Sequence, residues 1–353
     1  MNMLPPNVAA MQPYQSARSL RKGDGWIFMD ANESPYSGEV EALDMPPLNR
    51  YPDPTCDGLR EAVAAHYRLP RENLMMANGS DELIDLIVRC FVRRDRIVAA
   101  MFPSYGMYRV AADCCGVGYE VFRLRDDFSF DASALGNVLE RADVLFFCSP
   151  NNPTGTLVEL DAIERLAADF AGLVVVDEAY GEFADAEEIP SSIELVRRGL
   201  PNVVVLRTFS KAFAAAGIRL GYGIADRGVI DVLLRMKPPY NVNVITQAFG
   251  AALWRRRAEM EQNVRRLIES RERISAECRK SGCATHKSHA NFFLLHPPEG
   301  VSAEAMQTRL IEKERIVVRR FPTVPGLENL LRISVGTPEQ NKLFITTLNK
   351  FIP

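Results

Sequence analysis

Lys211 is the residue of this chain whose neighbours point most clearly to chemistry. It follows the apolar run 203–206 and the hydroxyl side chains of Thr208 and Ser210, and Arg219 comes eight residues later. An amine at the end of a buried strand can bond covalently to an aldehyde and can then move a proton. The hydroxyl groups and the arginine are donors for an anion. The segment therefore predicts a nucleophilic amine beside an anion-binding group.

Two polar clusters lie upstream, each at the end of an apolar run. Asp177 ends the first run, and its carboxylate needs a partner because burial would otherwise neutralise it. A protonated ring nitrogen is such a partner, while Tyr180 and Asn152 can hydrogen-bond a phenolic oxygen. Tyr105, after a third apolar run, can stack on an aromatic ring. Together with Lys211, these residues meet the requirements of pyridoxal 5'-phosphate (PLP).

The phosphate of such a cofactor also needs donors from the main chain. The segment 78–82 contains Gly79, Ser80 and Asp81 directly before apolar residues at helical spacing. Backbone N–H groups at a helix start bind anions, so they would assist Ser210 and Arg219. Thr208 is a further possible donor. The pattern also predicts that Ser80 or Asp81 caps the helix.

The elements that must position these residues follow an alternating pattern between about residues 74 and 225. Short apolar runs alternate with amphipathic segments, and the runs lack the polar alternation of a half-exposed strand. The predicted strands are 74–77, 96–101, 144–148, 173–176 and 203–206. This pattern predicts an α/β fold with a mostly parallel, doubly wound sheet. Ligands bind beyond the carboxyl ends of such strands, where the polar clusters occur.

Beyond about residue 245 the pattern changes to a smaller α+β unit. A long charged helical stretch is predicted over 247–279, with its polar residues solvated. Strand-like segments follow at 292–295, 316–319 and 330–335. We therefore predict an N-terminal arm (1–31), a large PLP-binding domain (32–246) and a small C-terminal domain (247–353).

Composition narrows the classes of function. Lysine and arginine total 42 against 45 acidic residues, a net charge of −3, which provides no basic field for nucleic acid or an anionic membrane. No apolar run is long enough to span a membrane, and no secretory signal pattern is present, so a cytoplasmic location is expected. The seven cysteines are expected to be reduced. Cys283, His286 and His289 are evenly spaced but lack a fourth ligand, so no metal site is predicted.

Several segments together resemble the fold-type I PLP-dependent aminotransferases, over nearly the whole chain. Within that group the chain is most similar to the histidinol-phosphate aminotransferase family. The segments that carry the resemblance are 13–18, 30–35, 49–52, 103–108, 149–155, 210–213 and 331–337.

The resemblance implies a role for each candidate residue. Lys211 would carry the covalent link and, with Asp177 and Tyr180, would act in catalysis. The residues that would hold PLP are Ser80, Asp81, Tyr105, Asn152, Asp177, Tyr180, Thr208, Ser210, Lys211 and Arg219. Tyr51 would reach the cofactor phosphate of a second subunit, which implies a homodimer with shared active sites. The residues that would bind substrate are Tyr14, Asn32, Arg319 and Arg332.

The chain departs from the family pattern in two places. Asn78 stands where the family often has arginine, and Arg320 lies beside Arg319, so the assignment between these two arginines stays open. The resemblance implies transamination between histidinol phosphate and 2-oxoglutarate. An aromatic amino acid aminotransferase is the alternative on the same scaffold, and a threonine-phosphate decarboxylase is a more distant one. A non-catalytic PLP-binding regulator is disfavoured because the charge is slightly negative and no DNA-binding segment is recognised.

Overall fold

The computed structural model describes residues 6–11, 25–37, 43, 45 and 47–350. The strands are β1 Ile27–Met29, β2 Leu74–Ala77, β3 Ile97–Phe102, β4 Gly118–Arg123, β5 Ala142–Cys148, β6 Leu173–Asp177, β7 Val203–Thr208, β8 Gly221–Ala225, β9 Ala284–Thr285, β10 Phe292–His296, β11 Ile316–Arg320 and β12 Leu331–Ser334. The helices are α1 Pro6–Ala10, α2 Asp57–His66, α3 Ser80–Phe91, α4 Met107–Cys115, α5 Val138–Arg141, α6 Leu160–Asp169, α7 Gly181–Asp185, α8 Ile193–Arg197, α9 Arg227–Met236, α10 Val244–Arg255, α11 Arg257–Lys280, α12 Ala303–Glu314 and α13 Pro338–Asn349.

The larger sheet has the strand order β2-β8-β7-β6-β5-β3-β4. Every neighbouring pair from β7 to β4 is parallel, whereas β8 is antiparallel to both β2 and β7. Strands β5, β6 and β7 are buried along their whole length, as expected from the apolar runs 144–148, 173–176 and 203–206 that they contain. The predicted fold class, a mostly parallel α/β sheet, is confirmed.

The reversed strand β8 explains how one sheet edge collects all five polar clusters. Because β8 is antiparallel to two neighbours, β2 runs in the same direction as β7. The carboxyl ends of β2, β3, β5, β6 and β7 therefore lie at the same edge, and the candidate residues follow them.

Sequence reasoning missed β8, because glycine occupies two of its five positions and is unfavourable in strands. Gly221 is needed for close packing: a Cβ there would lie 2.6 Å from the backbone nitrogen of Ser80. The missing side chain thus lets the start of α3 approach the sheet.

The predicted side-chain cap of α3 is wrong. The helix begins at Ser80, its N-cap is Gly79 with φ of 77°, and no side chain accepts a capping hydrogen bond there. Glycine adopts this backbone conformation without steric cost. The first N–H groups of α3 therefore point toward the sheet edge without a side-chain acceptor at the cap.

The smaller sheet has the order β1-β11-β12-β10-β9. Strand β1 pairs in parallel with β11, so residues of the predicted N-terminal arm join this sheet. The predicted charged stretch forms two helices, α10 and α11, which meet at Arg256. The boundaries proposed after residues 31 and 246 stay a prediction. Among the described residues, no helix is long and apolar enough to cross a membrane.

Candidate active site

A cavity of about 460 Å³ lies at the carboxyl edge of the larger sheet and is also lined by residues of the smaller sheet. Thirteen candidate residues line it: Asn32, Ser80, Asp81, Tyr105, Asn152, Asp177, Tyr180, Thr208, Ser210, Lys211, Arg219, Arg319 and Arg332. The structure therefore brings together side chains from five strand ends of one sheet and from β11 and β12 of the other.

Lys211 follows β7 and turns its amine toward the segment after β1. Its Nζ donates a hydrogen bond to the carbonyl oxygen of Ala31 (3.1 Å) and lies 5.7 Å from the ring centre of Tyr180. Burial lowers the pKa of Lys211 to about 8, and the positive charge of Arg332 acts in the same direction. About a tenth of this amine is therefore neutral, and hence nucleophilic, at pH 7, far more than for an ordinary lysine.

Asp177 is the last residue of β6 and is almost completely buried. Its Oδ2 accepts a hydrogen bond from the Tyr108 hydroxyl (2.8 Å), and its Oδ1 accepts one from the backbone N–H of Ala179 (3.1 Å). Burial raises the pKa of Asp177 to about 6, although both hydrogen bonds lower it. The carboxylate is thus a buried anion near neutral pH, and a nearby cation would be strongly favoured there.

Tyr180 and Asn32 form a hydrogen-bonded pair between the two sheets. Asn32 Nδ2 donates to the Tyr180 hydroxyl oxygen (2.9 Å), and Ser334 fixes Asn32 by donating to its Oδ1 (2.9 Å). Burial raises the pKa of Tyr180 well above its ordinary value. The Tyr180 hydroxyl therefore keeps its proton and can donate it in a further hydrogen bond.

Several hydrogen-bond donors suited to an anion lie at one end of the cavity. Arg219 Nη1 donates to Ser210 Oγ (3.3 Å), and Thr208 Oγ1 donates to the same oxygen (2.9 Å). A Cβ at Gly79 would lie 2.8 Å from Arg219 Nη2, so the missing side chain lets this guanidinium approach the start of α3 in its present position. A guanidinium, two hydroxyls and a helix N-terminus converge there.

Asp81 and Tyr105 form hydrogen bonds that fix the side chains at this end of the cavity. The Tyr105 hydroxyl donates to Asp81 Oδ1 (3.0 Å), and Arg219 Nη2 forms an ion pair with Asp81 Oδ2 (3.2 Å). The Asp81 side chain thus orients both Tyr105 and Arg219, while its backbone belongs to the first turn of α3.

The opposite end of the cavity carries two arginines from adjacent strands. Arg319 on β11 is the register partner of Arg332 on β12, and both line the cavity. Arg332 donates to Asn152 Oδ1 (2.5 Å) and to the carbonyl oxygen of Asp30, and it lies over the rings of Phe292 and Phe321. Two positive charges directly opposite one another repel, so an anion between them would be stabilising.

Arg320 lies outside this cavity. Its guanidinium pairs with Glu304 on α12 (3.0 Å), as expected because successive strand residues point to opposite faces. The structure therefore places Arg319, and not Arg320, in the cavity.

The structure places one candidate residue away from the cavity of this chain, and another lies outside the residues that it describes. Tyr14 lies outside the described residues. Tyr51 is 80% exposed, stacks on Tyr240 with ring centres 4.4 Å apart, and lines a separate groove. Its predicted contact with a second subunit stays a prediction.

The Cys283, His286 and His289 segment has other contacts. His289 Nδ1 bonds to Glu187, and the ring of His286 packs against Phe128. Within the described ranges, no group of three or more His, Cys, Asp or Glu side chains is arranged to hold a metal ion.

A model of the family described as aminotransferase class I and II matches residues 29–348. The chain belongs to this family. It is 37% identical over 351 residues to a histidinol-phosphate aminotransferase of Bacteroides thetaiotaomicron, covering 98% of this chain and 97% of that protein. It is 38% identical to one of Parabacteroides distasonis, with the same coverage. The predicted enzyme class is confirmed.

The fold of this aminotransferase is also that of a solved relative. A crystal structure of histidinol-phosphate aminotransferase from Sinorhizobium meliloti, in complex with pyridoxal-5'-phosphate, superposes with a TM-score of 0.87. The match covers 100% of this chain and 98% of that one, at 24% sequence identity.

Sequence reasoning missed two residues of the aminotransferase site. Phe321 lines the cavity, with its ring near the guanidinium groups of Arg319 and Arg332. The Tyr108 hydroxyl donates a hydrogen bond to Asp177 from outside the cavity. Tyr108 was detectable in principle, because it ends the segment 103–108, which carries part of the family resemblance. Nothing in the local pattern around Phe321 distinguishes it from a core aromatic residue.

Proposed function

We propose that this aminotransferase transfers an amino group from glutamate to imidazole-acetol phosphate, which yields 2-oxoglutarate and histidinol phosphate. The observation that carries the proposal is that Arg319 and Arg332 are register partners lining the same cavity as Lys211. Paired guanidinium groups suit a phosphate or a second carboxylate in turn. Similarity along nearly the full length to proteins named histidinol-phosphate aminotransferase supports the same substrates.

The cofactor is pyridoxal 5'-phosphate, and the cavity fits it. The buried carboxylate of Asp177 faces the cavity and suits a protonated ring nitrogen, while Ser210, Arg219 and the start of α3 suit a phosphate. When bound, this cofactor supplies a ring that accepts electrons from the substrate carbon. Lys211 would hold it covalently through the amine whose pKa burial has lowered.

The remaining polar residues would fix the orientation of the cofactor. Tyr180 accepts a hydrogen bond from Asn32 and keeps its own proton to donate to a phenolic oxygen. Asn152 is oriented by Arg332, so its amide N–H can donate to the same oxygen. Tyr105 would stack on the ring, and Thr208 and the backbone of Ser80 and Asp81 would complete the phosphate site.

Lys211 would also move the proton at the substrate carbon. Its amine is held beside Tyr180 and the carbonyl of Ala31, and a base with a pKa near 8 can accept and return a proton near neutral pH. Arg332 would bind a substrate carboxylate, Arg319 the phosphate, and Asn32 and Tyr14 the remaining substrate surface.

The same proposal includes a homodimer with shared active sites. Tyr51 is exposed beside an apolar groove of about 540 Å³ between the start of α2 and α10, and Leu48 nearby is also exposed. A second subunit would cover this groove and receive Tyr51 at its cofactor phosphate. We also propose a cytoplasmic location, because a phosphorylated substrate does not cross a membrane unaided.

Single-turnover absorbance spectra test the substrate assignment. PLP-loaded protein is mixed separately with histidinol phosphate, phenylalanine and threonine phosphate, and conversion of the bound cofactor to its amine form is followed. Conversion that is fastest with histidinol phosphate supports the proposal. Faster conversion with phenylalanine would assign the protein to aromatic amino acid transamination. A decarboxylase would release carbon dioxide from threonine phosphate without converting the cofactor, so no conversion with any amine and no carbon dioxide would indicate a non-catalytic binder.

A further inference from the structure

Tyr108 lies one layer behind the cavity, in the first turn of α4. Its side chain is completely buried, yet it carries a polar hydroxyl that must find a partner. That partner is Oδ2 of Asp177, 2.8 Å away and 69 residues distant in the sequence. Tyr108 therefore reaches the one carboxylate that the proposed function assigns to the ring nitrogen.

The direction of this hydrogen bond follows from the surroundings of Tyr108. Burial, together with the negative charge of Asp177, raises the pKa of Tyr108 well above its ordinary value. The phenol thus remains protonated and donates. The backbone N–H of Ala179 donates to the other carboxylate oxygen, so each oxygen of Asp177 has one donor from the protein. Two such donors favour the ionised carboxylate.

The ring of Tyr108 is held by aromatic neighbours on two sides. Phe146 of β5 stacks on it with ring centres 4.6 Å apart, and Tyr105 meets it edge-on at 5.7 Å. This packing leaves the hydroxyl little freedom to leave Asp177. It also links Asp177 to Tyr105, the residue proposed to stack on the cofactor.

We propose that Tyr108 is a positioning residue that keeps Asp177 ionised and aimed at the cofactor ring nitrogen. This inference rests on the proposed function, because it requires Asp177 to face that nitrogen. The titratable groups that interact with Asp177 include Asp81, Glu178, Cys148, Tyr105, Tyr108 and Tyr180, and the nearby carboxylates act against its ionisation. Without the Tyr108 hydroxyl, the proton shared with the ring nitrogen would move toward Asp177.

The test compares Tyr108→Phe with Tyr222→Phe as a matched control. Tyr222 is also completely buried, and its hydroxyl lies 2.9 Å from that of Tyr67, away from the cavity. Each variant is loaded with PLP labelled with ¹⁵N in the ring, and the nitrogen chemical shift reports its protonation. Steady-state kcat and KM and the melting temperature are measured for the same variants.

For Tyr108→Phe we expect a shift toward the unprotonated nitrogen and a kcat about ten- to a hundredfold lower, with KM little changed, as for loss of one charge-assisted hydrogen bond. Tyr222→Phe should lower only the melting temperature. A nitrogen shift and kcat in Tyr108→Phe equal to those of the control would overturn the inference.

Two further samples separate this inference from the function it rests on. Asp177→Asn should move the nitrogen shift at least as far as Tyr108→Phe; if it does not, the proposed role of Asp177 is wrong. If the nitrogen shift moves in Asp177→Asn but not in Tyr108→Phe, the role of Asp177 stands and the positioning role of Tyr108 is rejected. If Tyr108→Phe fails to fold, 3-fluorotyrosine at position 108 keeps the shape of the side chain but is a stronger hydrogen-bond donor. The ring nitrogen of the cofactor should then become more fully protonated. An unchanged nitrogen shift, or a shift in the opposite direction, would reject the inference.

Discussion

Replacement of Arg319 by alanine tests how the cavity recognises its phosphorylated substrate. Arg319 and Arg332 are opposite one another on β11 and β12 and line one cavity, whereas Arg320 points to the other face and pairs with Glu304. If Arg319 binds the substrate phosphate, its removal should affect histidinol phosphate far more than glutamate. The adjacent Arg320 offers a matched control of the same charge and size.

The expected losses, of kcat/KM in Arg319→Ala and of stability in Arg320→Ala, follow from the exposure and charge of the arginine that is removed. A hydrogen bond to a charged group contributes about 1.5–3 kcal/mol, and the half-buried position of Arg319 favours a total near 2–3 kcal/mol for the phosphate. That corresponds to a loss in kcat/KM of about 30- to 150-fold. Arg320→Ala removes an ion pair with a largely exposed glutamate and should cost at most about 1 kcal/mol of stability.

The two variants should also differ in stability without ligand. Arg319→Ala removes a like charge opposite Arg332, so the free energy of unfolding should stay unchanged or rise slightly. Steady-state kinetics with each substrate give kcat/KM, and urea denaturation of both variants gives the free energy of unfolding.

Three outcomes would refute this reasoning. Equal losses of kcat/KM for histidinol phosphate and glutamate would mean that Arg319 does not distinguish the phosphate. A greater loss in Arg320→Ala would mean that the faces of β11 have been assigned the wrong way round. A large drop in stability in Arg319→Ala would mean that its side chain has a structural role.

Three more predictions concern the amine and the second subunit. Lys211→Ala should retain PLP non-covalently but show no turnover with histidinol phosphate; substantial transaminase activity would exclude the proposed mechanism. In the wild-type apoprotein, covalent capture of PLP should accelerate as pH rises through about 8, because burial lowers the pKa of Lys211 and only the neutral amine reacts. A stopped-flow profile of the capture rate against pH with its midpoint near 10 would contradict this prediction. Mixed Tyr51→Ala and Lys211→Ala subunits should regain part of the activity that each lacks, and no recovery in isolated heterodimers would argue against a site shared between subunits.

The sequence predicted five of the seven strands of the larger sheet, and thirteen of the residues that line the cavity, because both depend on local patterns. Uninterrupted apolar runs such as 203–206 indicate strands buried on both faces, and a polar residue at the end of such a run indicates the ligand-binding edge. Strand β8 escaped detection because its glycines serve close packing against Ser80, a contact that no local pattern reveals. The capping prediction at α3 was wrong because the helix already begins at Ser80, so the N-cap position belongs to Gly79, which has no side chain to accept a hydrogen bond.

By itself the sequence determined which side chains were available: Lys211 and Asp177 at strand ends, donors for a phosphate, and arginines near the C-terminus. Only the tertiary structure decided that Arg319 and not Arg320 faces the cavity, because the face of β11 is set by its pairing with β12. The structure alone also brought Tyr108 to Asp177, since their hydrogen bond joins residues on different elements of the fold. Residue type and order are local properties, whereas the direction of a side chain and its partner depend on how strands and helices pack.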